Sequence, residues 1–145
     1  MSRRVKNAGI LVLPVLVAIQ FVRPERTNPP SNPASSFGRI VRPSSEMAAI
    51  LERSCSDCHS NNTVWPWYSR VAPVSWLVVS DVNDGRRHLN LSEWGAYSSD
   101  KARTRMKEMC DEAKSGGMPL WIYTLMHRNA KLSGEDIKAI CAAAQ

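Results

Sequence analysis

The stretch Cys55-Ser56-Asp57-Cys58-His59 reads as C-x-x-C-H, and it constrains the chain more than any other feature. Two thiols at this spacing can add across the two vinyl groups of a haem and form thioethers. The histidine that follows can then hold the iron as its proximal ligand. One turn of helix brings both sulfurs to one side, within reach of a single planar ring. A chain that uses the motif this way must also supply a wall for the ring, a second axial ligand or an open position, and an address where haem c is attached. Other uses of the pattern fit less well. A thioredoxin-like dithiol expects a βαβ context, and a zinc site expects a second C-x-x-C or a spaced histidine pair. The sequence offers neither.

The address is read at the N-terminus. Arg3, Arg4 and Lys6 precede an apolar run from Ala8 to Val22 that only Gly9, Pro14 and Gln20 interrupt. At about 15 residues the run is shorter than the roughly 20 of a spanning helix, and it suits the hydrophobic region of a secretory signal. The bulky Gln20-Phe21-Val22-Arg23-Pro24 offers no small-x-small cleavage site. Residues 1–22 therefore read as a signal-anchor or a signal peptide, with the uncleaved anchor favoured. Basic residues ahead of the run keep the N-terminus cytoplasmic. The rest of the chain is then expected in the bacterial periplasm, tethered to the inner membrane by this segment. The formal charge of +6 belongs mostly here: without Arg3, Arg4, Lys6 and Arg23, fifteen basic residues face thirteen acidic ones. No Lys/Arg stripe interleaved with aromatics appears, so the charge is no argument for nucleic acid.

Residues 23–44 hold five prolines among Asn, Ser, Thr and Arg. That composition reads as a semi-extended linker, with the domain at 45–145 beginning near Pro43. Helical patterning starts there. Ser44 or Ser45 caps, Glu46 falls in the first turn, and Met47, Ile50 and Leu51 lead into the motif. Pro73 suits the first position of a second helix, with Val74, Leu77, Val78 and Val82 as its apolar stripe and Gly85 as its end. Leu91 and Trp94 follow as apolar anchors. Ser98 or Ser99 opens a third helix with Ala102, Met106, Met109, Cys110 and Ala113 inward, and Gly116-Gly117 stops it. Ser133 with Asp136 is a variant capping box, opening a last helix whose Ile137, Ile140 and Cys141 face inward. No strand-like alternation of useful length appears. The fold class is all-α: a small cytochrome c-like domain of about four or five helices around one covalent haem. Trp65, Trp67 and Tyr68 lie close after His59 and suit either a wall for the porphyrin or plain core. The carbonyl of Pro66, or of a neighbour, could accept a hydrogen bond from the other ring nitrogen of His59.

Several stretches together carry a resemblance. They are Cys55 to His59, the run from Asn62 to Ser69, Ala72-Pro73-Val74-Ser75-Trp76, the segment from Gly85 to Trp94, and Gly117-Met118-Pro119-Leu120. The region from about residue 45 to 142 resembles the bacterial haem-binding domain family of exported monohaem c-type proteins. The resemblance implies covalent haem binding, with one haem c and its iron per chain, and electron transfer with redox partner proteins. Gly116-Gly117 departs from it, standing where an acidic residue between glycine and methionine is expected.

Three residues compete for the second axial position. Met118 leads, because a Met-Pro pair in a loop well downstream of C-x-x-C-H resembles the distal loop of small cytochromes c. Thioether ligation favours reduced iron and raises the potential. His88 and His127 are the rivals, and either would give a bis-histidine site. Arg86 and Arg87 are candidate partners for the haem propionates or plain exposed charges. Cys110 and Cys141 fall on inward helical faces, and in an oxidising compartment they form either a disulfide or two buried thiols. The expected role is a monohaem electron carrier rather than a catalyst. A haem-based sensor or ligand-binding module, or a small peroxidase-type enzyme, would instead need an open iron position.

Overall fold

The computed structural model describes residues 12–144. Every regular element among them is helical, and none is a strand. A short turn of helix, α1 (Phe37–Ile40), precedes α2 (Ser45–Ser54) and α3 (Ser56–His59). The longer α4 (Val74–His88) and α5 (Ser99–Ser115) follow. The short α6 (Trp121–Met126) and α7 (Gly134–Ala142) complete the chain. Local chemistry sets the ends. Ser44 accepts from the Met47 backbone N–H at 3.1 Å and opens α2. Ser98 accepts from the Lys101 N–H and opens α5, and Gly116 ends that helix at φ 74°, a conformation glycine adopts without strain. Both halves of the Ser133/Asp136 capping box are made.

Two apolar clusters hold the helices. Phe37, Met47, Leu51, Leu91, Trp94 and Met106 form the first, with Phe37 edge-on to Trp94 at 4.7 Å between ring centres. Ile50, Ala113 and Ile140 form the second, where α2, α5 and α7 meet. Beside it a disulfide joins Cys110 of α5 to Cys141 of α7, with Cα atoms 4.8 Å apart. The disulfide reading of these two cysteines is the one the structure adopts. Arg53 of α2 reaches Asp136 at 2.7 Å and ties α2 to the capping box of α7.

Three sequence expectations need correction. First, the proline-rich segment is not a free linker ending near Pro43, because it and the residues just before it bond to the domain. The Gln20 amide donates to the Ala72 carbonyl and accepts from the Ala72 N–H, both at 3.0 Å. Trp76 donates to the Val22 carbonyl at 2.7 Å, Arg26 to Ser69, and Asn28 to Thr63. Phe37 is buried in the core. Second, Gly85 does not end α4. The helix runs on to His88, and Gly85 is buried where α4 crosses α3. Third, only Val82 of the expected α4 stripe is fully buried, and Val74 and Leu77 stay exposed. Ser75, Val79, Val82 and Gly85 form the face actually buried. The expected signal or anchor begins outside the described residues. Residues 12–18 are helical and lead into the turn Ile19–Phe21. Among the described residues no helix is long and apolar enough to cross a membrane.

Candidate functional site

The motif is bent at its first cysteine. Cys55 sits at φ −128°, ψ −37° between α2 and α3, so that α3 turns away from the axis of α2. The Cys58 and His59 N–H groups both return to the Cys55 carbonyl, at 3.2 and 2.9 Å. Cys55, Cys58 and His59 thereby line one cavity of about 620 Å³, within the size range of cofactor sites. The two cysteines are not joined to each other. Burial, with Cys58 alongside, pushes the Cys55 thiol up to about 12. Burial, then the charges of Asp57 and Asp81, push the Cys58 thiol up to about 11. Both thiols therefore stay protonated at neutral pH in the folded chain.

His59 is oriented by backbone. Its Nδ1 lies 2.9 Å from the Gly85 carbonyl and 3.0 Å from the Leu89 carbonyl. Two acceptors require a donor, so Nδ1 carries the hydrogen and Nε2 keeps its lone pair. Burial lowers the pKa of the ring, against the two carbonyl contacts, and keeps it neutral. A neutral imidazole fixed through Nδ1 with Nε2 free is the arrangement of a metal-ligating histidine. The acceptors are the last turn of α4 and not Pro66, whose carbonyl takes the Ser69 N–H and hydroxyl instead. The close crossing of α3 and α4 makes this possible. A Cβ on Gly85 would stand 2.5 Å from the Cys58 carbonyl oxygen, so a glycine is required there.

A buried polar web supports the same wall. The Asn61 backbone N–H donates to the Ser92 hydroxyl oxygen, and its side chain donates to Glu93 and accepts from Asn90 at 2.9 Å. Arg86 donates to the Ser60 and Thr27 carbonyls, to Asn28 and to Thr63. It is committed to the loop, while exposed Arg87 pairs with Asp84. Asp57, inside the motif, accepts from the Tyr123 hydroxyl at 2.8 Å and from the Val64 N–H at 3.0 Å. Burial, and then that carboxylate, raise the Tyr123 pKa. Tyr123 of α6 is thus hung on the motif and lines the cavity as well.

The opposite walls carry a large apolar area, beside Arg105, Glu108 and Glu112 of α5. Met109 and Ala113 of α5, Leu120, Leu132 and Ile140 line the cavity there. Met118 lines it from the loop after α5, its N–H bonded to the Glu112 carbonyl at 3.3 Å, and is 37% exposed. His88 lines the cavity too, from the end of α4 beside the carbonyls that hold His59. His127 does not reach it. Its Nε2 lies 2.7 Å from the Tyr68 hydroxyl, and its ring stacks on Tyr123 at 4.3 Å. Trp65 and Trp67 are not cavity walls either. Trp65 donates to Asn28, and Trp67, 72% exposed, borders a second, apolar hollow of about 300 Å³ between α4 and α6.

Sequence reasoning missed Leu120, Tyr123, Leu132 and Arg105 as lining residues. A signal existed for α5, where Arg105, Met109, Glu112 and Ala113 recur at helical spacing and share the cavity face. Among the described residues no three His, Cys, Asp or Glu side chains gather as a metal cluster.

The fold and cavity define an all-α domain that gathers a C-x-x-C-H motif, an oriented histidine and a downstream methionine around one hollow. The profile of the haem-binding domain family matches residues 14–145, and the chain belongs to that family. No curated protein and no solved structure matches the chain. The residues fit the group the family name implies. Two thiols, a neutral imidazole with a free nitrogen and a thioether line the same space as the apolar walls.

Proposed function

We propose that the chain is a periplasmic monohaem c-type cytochrome that passes single electrons between redox partner proteins. The observation that carries this reading is His59, held through Nδ1 by the Gly85 and Leu89 carbonyls, in one cavity with Cys55, Cys58 and Met118. Haem, when bound, supplies the Fe(III)/Fe(II) couple. Cys55 and Cys58 would hold it by thioethers, and His59 Nε2 would be the proximal ligand. Hydrogen bonding at Nδ1 makes the imidazole a stronger donor. His88 shares its wall with the carbonyls that hold His59, so Met118, on another wall, is the better placed partner for the opposite face. Met109, Leu120, Leu132 and Ile140 would keep water from a bound haem, and low polarity favours the state of lower charge. Anchoring at the inner membrane through the N-terminal run completes the reading. The contacts from Gln20 to Asn28 would then hold the domain close to its anchor.

The test is an absorption spectrum of protein matured with haem c, with a haem stain after denaturing electrophoresis, repeated on Met118→Ala. Haem that survives denaturation and a far-red Met-to-iron band lost in the variant are expected. An unchanged low-spin spectrum in the variant would transfer the ligand role to His88. Rapid carbon monoxide binding to reduced wild-type protein would point to an open iron and a sensor.

A further inference from the structure

The cavity face of α5 carries a cation that the reading above leaves without a role. Arg105 Nη1 donates to Glu108 Oε2 at 2.5 Å. Its Nε is buried and has no hydrogen-bond partner. A guanidinium presents five donors, so the bond to Glu108 leaves others for a second acceptor such as a carboxylate. The Arg105 side chain is 23% exposed and lines the cavity, where an anion can meet its remaining donors. Six further polar titratable side chains face that space: Asp81, Asp84 and His88 from α4, Glu108 and Glu112 from α5, and Tyr123 from α6. Four of them are acids, which makes Arg105 the single permanent cation lining the cavity among the described residues.

Haem brings two carboxylates, its propionates, on the edge remote from the vinyl groups. Cys55 and Cys58 assign the vinyl edge to the motif. Arg86 and Arg87 are unsuited to the other edge, since the loop and Asp84 already occupy them. We propose that Arg105 is the anion-binding residue of this site and holds one haem propionate through the donors of its guanidinium that Glu108 leaves free. The assignment rests on the haem reading and adds an orientation to it: one propionate lies against α5, fixed, and the other is left without a cation. Bidentate pairing makes Arg105 a positioning residue for the ring, and lysine cannot reproduce that geometry.

The experiment uses holoprotein whose propionate carboxyls are labelled by feeding 5-amino[1-13C]levulinate. The two carboxyl resonances of the reduced protein are followed against pH in wild type, Arg105→Gln and Arg105→Lys. In wild type one propionate is expected to titrate well below an ordinary carboxylate at about 4.3. In Arg105→Gln that same resonance should move up by roughly one to three pH units, while the other stays in place. Arg105→Lys should fall between. Two wild-type propionates that both titrate at or above the ordinary value overturn the assignment even if neither variant folds. So does an Arg105→Gln profile that superimposes on wild type. A wild-type chain that keeps no haem after denaturation would instead remove the haem reading itself.

Discussion

The two sides of the cavity are built in opposite ways. On the motif side, position is set by directed polar bonds: two carbonyls on His59, the Asp57–Tyr123 pair and the buried Asn61 web. On the side of α5 and α7, it is set by apolar contact among Ile50, Ala113 and Ile140 and by the Cys110–Cys141 disulfide. The difference follows what each side must do. An imidazole ligand has to be aimed, and hydrogen bonds carry direction. A wall that excludes water has only to be filled and kept in place, which non-directional burial does well. Loss of the disulfide should therefore cost stability while ligation persists, and damage to the contacts that aim His59 should disturb ligation more than its cost in stability implies.

The largest stability effect is expected on the apolar side. Cys110 and Cys141 are 31 residues apart, and opening such a loop in the unfolded chain costs about 3–4 kcal/mol by the chain-entropy estimate. The double variant Cys110→Ser/Cys141→Ser should lower the denaturant midpoint accordingly and leave the spectrum of bound haem unchanged. Altered ligation in that variant would erase the contrast. Unreduced, denatured wild-type holoprotein should show no thiol to an alkylating reagent.

Gly85→Ala comes next. Its new methyl would meet the Cys58 carbonyl, and overpacking of this kind costs about 1–3 kcal/mol. Since the Gly85 carbonyl also aims His59, the variant should lose low-spin haem signal out of proportion to its change in melting temperature. A normal spectrum with a lowered melting point would show that the crossing serves packing alone. Asn61→Ala strips partners from Asn90 and Glu93 inside the web and should cost about 1–3 kcal/mol in chemical denaturation.

Asp136→Asn should have the smallest effect, about 0.5–2 kcal/mol, the range for a helix cap. Hydrogen bonds from the Ser133 backbone and hydroxyl, with Arg53 beside them, hold the Asp136 carboxyl below its ordinary value of 3.8. A depressed folded-state pKa contributes stability above the unfolded value and loses it as pH falls through the lower folded value. The gap between wild type and Asp136→Asn in thermal melts should therefore close below about pH 3.8. A gap independent of pH would assign the cap to geometry rather than charge.

What was legible in the sequence divides along the same line. Local patterns gave the motif, the caps at Ser44, Ser98 and Ser133, the stop at Gly116 and the inward placing of Cys110 and Cys141. The resemblance of the Met118-Pro119 loop to the distal loop of small cytochromes c points to Met118, and Met118 lines the cavity. Polar contacts between distant residues were not legible. His127 looked free until Tyr68, 59 residues away, took it. The proline-rich segment looked unfoldable because its composition offers little to bury. What holds it is the Arg26 guanidinium and the Asn28 amide, which reach the Ser69 and Thr63 carbonyls. Gly85 reads as a helix end because glycine is common just past helix C-termini. The tight crossing that demands it depends on α3, which no window around Gly85 contains. Trp65 and Trp67 show the same limit, since proximity in sequence to His59 did not carry them to the face that matters.

The end of α4 has one more consequence. Gly85 O receives both the Leu89 N–H, at 2.8 Å, and His59 Nδ1. The imidazole is therefore docked on the negative pole of a 15-residue helix, where aligned peptide dipoles leave about half an elementary charge. That pole favours whichever state of a group beyond the ring carries more positive charge. On the electron-carrier reading, α4 would act as a built-in bias toward the oxidised state, opposing the push toward reduction that a methionine on the other face would give. The midpoint potential would then record a contest between a helix end and a sulfur atom.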